Sequence, residues 1–556
     1  MTLSTAARWL AATALTAVAL AAQAQPADLI VTNAKVVTLD ARSSVAEALA
    51  VRDGRILAVG DRASVQRLAG ADTRTVDAGG RTVIPGLIDS HMHGIRAALS
   101  YSTEVNWIGA GSVPEAMARL KDKAAKSAPG SWLIVAGGWT EQQFTEKRRP
   151  TLAEILAAAP DNPVYIQLFY AAALLTPKAQ ETLKLGPDNL PAGITIERDA
   201  AGNATGWWSG NIIGISSMFD RLPKPTFDDN VAGTRQFFSE LNRLAVTGIV
   251  DTGGFNISAP QYAALLQLWR EKAMTVRVAY HLFAQKAGAE LDEFKAPTAM
   301  MPMGFGDDFL RFNGIGERLT LAMYNNNFPN DEQKAKFVEV LRWAAQQKLA
   351  LTVHWSEDRS VGHLLEMFER VNAETPIAPL RWSIAHLEDA SPATLARMAT
   401  LRVGWTLQEA MYYGGDAALA QRGEAAAGRM PPVVSALRAG VHVGAGTDAH
   451  RVATYNPFVV LQWLLDGRTV SGRAQRVAAE IPSRDEALRL YTLGSAWFAF
   501  DEARRGSLEP GKLADFAILD QDVTTVPVDR IGRTVSLLTA IGGRVVYAAA
   551  PFSNAR

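Results

Sequence analysis

Apolar and β-branched residues near the start of the chain come in short runs broken by turn formers. Ala27–Leu39 and Ala48–Val59 read as strands, with Asp53-Gly54 as a tight turn. The far end has the same texture: Ala514–Leu519 and Val535–Tyr547 are strand-like, punctuated at Gly542-Gly543. Neither end has enough strands for a stable sheet of its own. The two are therefore expected to pair into one composite β-sandwich domain, residues 25–82 with 500–556.

Between these ends the period changes. Short apolar strands are predicted at Val83–Ile88, Val246–Val250, Val276–Leu282, Leu310–Gly316, Ala350–Val353, Arg381–Ala385, Arg402–Leu407 and Val441–Gly446. Helical stretches such as Asp331–Gln347, Gly362–Asn372 and Ser391–Thr400 separate several of them. Eight β-then-α steps predict an α/β fold of the (β/α)₈ TIM-barrel type over residues 83–499. The long interval after the first strand, roughly 110–240, is expected to form an inserted lobe. No internal repeat is present.

Composition narrows the function. With 56 Lys+Arg against 56 Asp+Glu and 48% hydrophobic residues, the chain is neither disordered nor basic enough to meet nucleic-acid phosphates. Arg8, the apolar run Trp9–Ala22 and the triplet Ala22-Gln23-Ala24 have the form of a secretory signal peptide over residues 1–24. The expectation is a periplasmic or secreted bacterial protein. With no Cys there is no disulfide framework, and no lipid-bearing residue could anchor the chain after cleavage.

The chain has only 8 His, and their placement is informative. His91 and His93, two apart at the end of the first strand, project to one face and can hold one ion. Four more candidates fall at strand ends: Glu317, His354, His386 and Asp448. In a (β/α)₈ barrel the carboxyl ends of the strands are where catalytic residues converge. Imidazole and carboxylate donors suit a divalent transition metal, and the lack of Cys removes a soft-ligand alternative. The expected cofactor is one or two divalent ions, zinc first among them, and the expected partner is a small-molecule substrate.

These segments carry a family resemblance. Val83-Ile84-Pro85-Gly86-Leu87-Ile88-Asp89-Ser90-His91-Met92-His93, Thr352-Val353-His354, Ile384-Ala385-His386, Gly446-Thr447-Asp448 and the closing run Gly506–Asp515 resemble the metal-dependent amidohydrolase superfamily, in particular its amidohydrolase-3 group. The resemblance implies His91, His93, His354 and His386 as metal ligands, and Asp448 as both ligand and catalytic proton carrier. It implies metal-assisted hydrolysis of a carbon–nitrogen bond other than a peptide bond. Many relatives carry a carboxylated Lys at the fourth strand; here no Lys occurs between Lys295 and Lys334, and Glu317 stands at the strand end. A Glu can bridge two cations unmodified, through its two oxygens. An ion pair with Arg318 is the alternative. The insertion lacks the Glu that often follows a Gly-x-Pro-Thr-Gly turn in relatives, and Tyr170 stands where many show a His.

Further candidates concern the substrate. Trp139, Trp355 and Trp405 fall in rim loops or at strand ends, suggesting an aromatic-lined pocket and a bulky apolar or aryl amide; packing between lobe and barrel is the competing account. His281, His450 and Arg451 are candidate substrate contacts, and Asp358 a candidate support for a ligand. The same metal shell could instead serve deamination or hydrolysis of a carbamate, ester or cyclic amide. A non-catalytic metal-containing periplasmic binding protein is the remaining alternative.

Overall fold

The computed structural model describes residues 26–324 and 328–555. The expected signal peptide lies outside them. Among the described residues no helix is long and apolar enough to cross a membrane.

Eight parallel strands form two four-stranded sheets. The first contains Leu87–Met92, Val246–Asp251, Arg277–Leu282 and Leu310–Ile315; the second contains Thr352–Trp355, Ser383–His386, Gly404–Leu407 and Val443–Ala445. A parallel bridge between Ile315 and Leu351 joins them on one side. On the other, Asp448 N donates to His91 O at 2.9 Å. Strands such as Val246–Asp251 are buried throughout, as strands covered on both faces must be.

Helices follow the strands for local reasons. Asp331–Gln346 starts at Asn330, whose side chain accepts from Gln333 N in a capping box, with Asp331 and Glu332 against the positive helix end. It buries Phe337, Leu341 and Ala344 against the sheets. Pro392–Leu401 begins with Ser391 as cap and Pro at its first position, and stops where Arg402 turns left-handed at φ +55°.

The two chain ends do share one sheet. Its six strands run Arg544–Ala548, Ser536–Ile541, Phe516–Leu519, Thr82–Pro85, Lys35–Val37 and Val45–Ala46. A second sheet holds Arg55–Gly60, Ala48–Arg52, Ala27–Thr32 and Ala69–Asp77, and one apolar cluster, including Leu29, Val51, Phe516 and Leu538, draws on both. The strand expected at Val83–Ile88 is thus split. Thr82–Pro85 belongs to the terminal sheet, and only after Gly86 does Leu87–Met92 enter the parallel sheet. A buried ion pair fastens the two layers: Arg277 Nε and Nη2 donate to Asp515 at 2.7 and 3.0 Å.

The insertion folds as a five-stranded sheet of Ile194–Arg198, Ala204–Gly210, Ala172–Leu175, Val164–Leu168 and Leu133–Val135. The expected lobe boundary at 240 was too generous. Helix Phe227–Arg243 buries Phe237, Phe238 and Leu241 in the main core and so packs with the parallel strands. The hairpin pairing Leu168 with Ala172 leaves Phe169 and Tyr170 at its tip.

Candidate metal centre

The six expected ligand residues come together at the carboxyl ends of the parallel strands. Glu317 sits among four imidazoles. Its Oε2 lies 3.2 Å from His91 Nε2, 3.3 Å from His354 Nδ1 and 3.4 Å from His386 Nε2, while Oε1 is 3.6 Å from His93 Nε2. Asp448 Oδ1 is 3.2 Å from His93 Nε2 and 3.7 Å from His91 Nε2. Three donor sets of three form, His91–His93–Glu317, Glu317–His354–His386 and His91–His386–Asp448, and Glu317 belongs to two of them.

These separations suit a metal. Bonds of 2.0–2.2 Å in a tetrahedral site put neighbouring donors about 3.3–3.6 Å apart. The donor chemistry agrees: His91 Nδ1 and Nε2 and His386 Nε2 are buried without hydrogen-bond partners, an expense that a cation would remove. His93 Nδ1 lies 2.7 Å from Gly253 O; a carbonyl only accepts, so Nδ1 carries the proton and the Nε2 lone pair is free for an ion.

Burial alone would push Glu317 up. His354, His386 and His91 outweigh it and hold the carboxyl well below the usual carboxylate range. Asp448, also buried, is held low by His91 and His93. Its side chain keeps 16% exposure, against 2% for Glu317.

Backbone geometry delivers these side chains. Asp448 and His386 adopt left-handed φ of +55° and +70° just where their strands end, turning them inward. Gly446 must lack a side chain, because a Cβ there would stand 2.6 Å from His91 N and 2.7 Å from Asp89 Oδ1. Asp89, within the segment that carries the family resemblance, supports the centre from behind. Its Oδ1 accepts from His91 N and its Oδ2 from Thr447 N and Oγ1, tying the first strand to the Asp448 loop. Burial pushes it up to about 7. Asp251, missed altogether, accepts from Ile95 N and Gly253 N and so sets the carbonyl that His93 uses. Its position at the end of the second strand was the available signal.

Several expected substrate contacts are placed elsewhere. Trp139 is in the lobe core, 5.0 Å from Trp107 and stacked on Phe144, with Nε1 donating to Gln167 O. Trp355 and Trp405 are fully buried, their Nε1 groups donating to Ser360 Oγ and His386 O. None of the three lines a cavity at the centre, because each ring packs into a core and not toward open space. His281 is buried beside Asn313 Nδ2 at 3.1 Å, and burial takes it down to about 3, a neutral imidazole. His450 Nε2 is 2.8 Å from Glu104, which also faces Arg451 Nη1 at 3.5 Å. Burial would raise Glu104, but Arg451 and His450 bring it to about 2. Asp358 accepts from Ser391 N, bracing the loop after the sixth strand and not a ligand.

The cavity that does reach the centre has about 370 Å³. His354, His386 and Asp448 line it with Glu388, Gln408, Phe169, Tyr413 and Val452. Phe169 comes from the lobe hairpin and meets Tyr413 edge-on at 6.0 Å. Tyr324 stacks on His354 at 4.4 Å, with its hydroxyl 3.4 Å from Glu317 Oε1. The aromatic lining is therefore Phe and Tyr, not Trp.

The sequence model of the amidohydrolase family matches residues 74–547. The chain belongs to this family of metal-dependent hydrolases. The N-substituted formamide deformylase of Arthrobacter pascens is 25% identical over 569 residues, covering 94% of this chain and 99% of the relative. Among solved structures, a metal-dependent hydrolase of Pyrococcus horikoshii OT3 superposes with a TM-score of 0.65 at 20% identity, over 90% of this chain and 99% of that one. Atrazine chlorohydrolase of Arthrobacter aurescens TC1, solved with zinc, gives 0.52 at 17% identity, over 94% and 95%.

Proposed function

We propose that the protein hydrolyses the carbon–nitrogen bond of an amide at a two-ion centre bridged by Glu317. His91 and His93 would hold one ion, His354 and His386 the other, with zinc the expected metal; the two donor sets that share Glu317 support this. The two parallel sheets are read as one closed (β/α)₈ barrel, and the terminal sheets as a β-sandwich. Bound divalent ions supply Lewis acidity, which acidifies water and polarises a carbonyl. Asp448 takes the proton of the attacking water and returns it to the leaving nitrogen, so that amide and water become acid and amine. The observation that carries this assignment is Asp448's place: it is a deprotonated carboxylate that touches two of the His and also lines the open cavity. Phe169, Tyr413 and Val452 favour an apolar or aryl substituent next to the scissile bond.

The test is Asp448→Asn. kcat on aryl amides should fall on the order of 10² to 10⁴-fold, with a much smaller change in KM. Chelation should abolish the wild-type rate and added zinc should restore it; turnover indifferent to both treatments would overturn the reading. Export is part of the proposal, on the strength of Arg8, the apolar run and Ala22-Gln23-Ala24. Secreted material should begin at Gln25, and protein retaining Met1 outside the cytoplasm would contradict it.

A further inference from the structure

A second cavity, also of about 370 Å³, lies between the lobe and the parallel sheets beside the metal centre. Leu99, Phe219, Phe255 and Ile257 form an apolar part of its wall, and polar groups such as Gln167, Asn256 and Asp220 form the rest. Its cations are Arg96, Arg451 and Lys224, and two of these are already neutralised. Arg451 faces Glu104 at 3.5 Å, donates to Ala136 O and lies over the Phe219 ring. Lys224 pairs with Asp220 at 3.7 Å.

Arg96 differs. A guanidinium has five N–H donors. Arg96 commits one, from Nη1 to Tyr170 Oη at 3.1 Å; its buried Nε has no hydrogen-bond partner, and no carboxylate pairs with it among the described residues. A permanently charged group whose buried Nε lacks an acceptor is costly unless a ligand supplies one.

The position relative to the centre is set by Gly254, at φ +153°. The place of a Cβ there is 3.4 Å from His93 Nδ1 and 3.6 Å from Arg96 Cδ and Nη1, in ordinary contact with both, so the guanidinium lies beside the candidate ligand His93. Tyr170, from the lobe hairpin, completes the pair: its oxygen accepts from Arg96 and its hydroxyl hydrogen is left to donate to the same ligand.

We propose that Arg96 and Tyr170 form an anion subsite, and that the substrate is an amide bearing a carboxylate a few bonds from the scissile carbon–nitrogen bond and an apolar arm. The planar guanidinium matches a carboxylate. Phe219 and Phe255 receive the arm. This substrate class rests on the hydrolytic reading of the metal centre; the anion subsite itself does not.

The experiment compares matched ligands on the metal-loaded enzyme. Hydrolysis of N-formylphenylalanine is set against N-formylphenylalaninamide, which differs by one charge, and calorimetric binding of phenylacetate against phenylacetamide. Wild type should favour the charged member of each pair by about tenfold to a hundredfold, the range for hydrogen bonds to a charged group. Arg96→Met should erase that preference, mainly through KM, and Arg96→Lys should recover part of it. Equal treatment of charged and neutral ligands by wild type overturns the proposal. So does phenylacetate binding that Arg96→Met leaves unchanged, which would put the carboxylate on the metal ions. If neither amide is cleaved while phenylacetate binding still depends on Arg96, the hydrolase reading fails and the subsite stands. Cleavage of both amides at equal efficiency, without phenylacetate binding, has the opposite meaning.

Discussion

Glu317→Gln is the most direct probe of the centre, because it keeps the side-chain shape and removes one charge. The two oxygens of Glu317 serve different neighbours: Oε2 faces His91, His354 and His386, and Oε1 faces His93. Glutamine retains one oxygen. Its NH₂ must then point either at three imidazoles or at His93, and in neither orientation can it bind an ion. Both donor sets that share Glu317 lose its charge, and at least one loses its oxygen donor. Metal content by elemental analysis should drop from two ions per chain to one or fewer. Each ion held at a hundredfold excess over its dissociation constant adds about 2.7 kcal/mol to the folded state. For a chain this long that is roughly 2–3 °C in Tm, so the upshift produced by added zinc should shrink by about that amount. Two ions retained, with the wild-type upshift, would refute the bridge.

Trp139→Ala and Trp355→Ala should behave as core truncations, costing roughly 3–5 kcal/mol in urea unfolding while leaving KM for aryl amides nearly unchanged; a selective rise in KM would return these rings to the substrate pocket. Glu104 predicts an acid sensitivity. Its folded value of about 2 lies below the ordinary 4.5, so the stability it contributes is present above about pH 4.5 and is lost as pH falls toward 2. Linkage puts that loss at roughly 3 kcal/mol. Glu104→Gln should be less stable at pH 7, since Arg451 stays buried without its carboxylate, and should show a shallower decline below pH 4.5. An unchanged decline would rule out Glu104 as its source.

Strand positions, and the gathering of the six candidate ligand residues at strand ends, were legible because both depend on local periodicity. Predicted strands such as Val276–Leu282 and Leu310–Gly316 lie within about two residues of Arg277–Leu282 and Leu310–Ile315. The six ligand residues all stand at or just past strand ends. The Trp placements failed for a reason also present in the pattern. Alternation along a strand sends the residue after an inward-facing ligand to the opposite face, so with His354 turned to the centre Trp355 has to point toward the helices. The split at Gly86 was legible in part: Pro85-Gly86 breaks the apolar run Val83–Ile88, but the partner strand Phe516–Leu519, which claims its first half, lies more than four hundred residues away. Arg96 and Tyr170 were likewise beyond local reading: Tyr170 was noticed as a substitution, but their pairing needs the lobe to fold back onto the helix after His93.

The terminal sheet sets a timetable for the molecule. Thr82–Pro85 leads directly into the strand that ends in His91 and His93, and its sheet neighbour on one side, Phe516–Leu519, is made more than four hundred residues later. At ordinary translation speed the interval between the two is on the order of a minute. Through that time Thr82–Pro85 lacks its partner on that edge, and Arg277 has no Asp515. The sheet beneath the first two candidate ligands is therefore completed late, once residues 515–519 are in place. A stop codon before residue 515 would cost far more than a surface strand: it would leave a nascent protein with most of its ligands in hand and no frame to hold them.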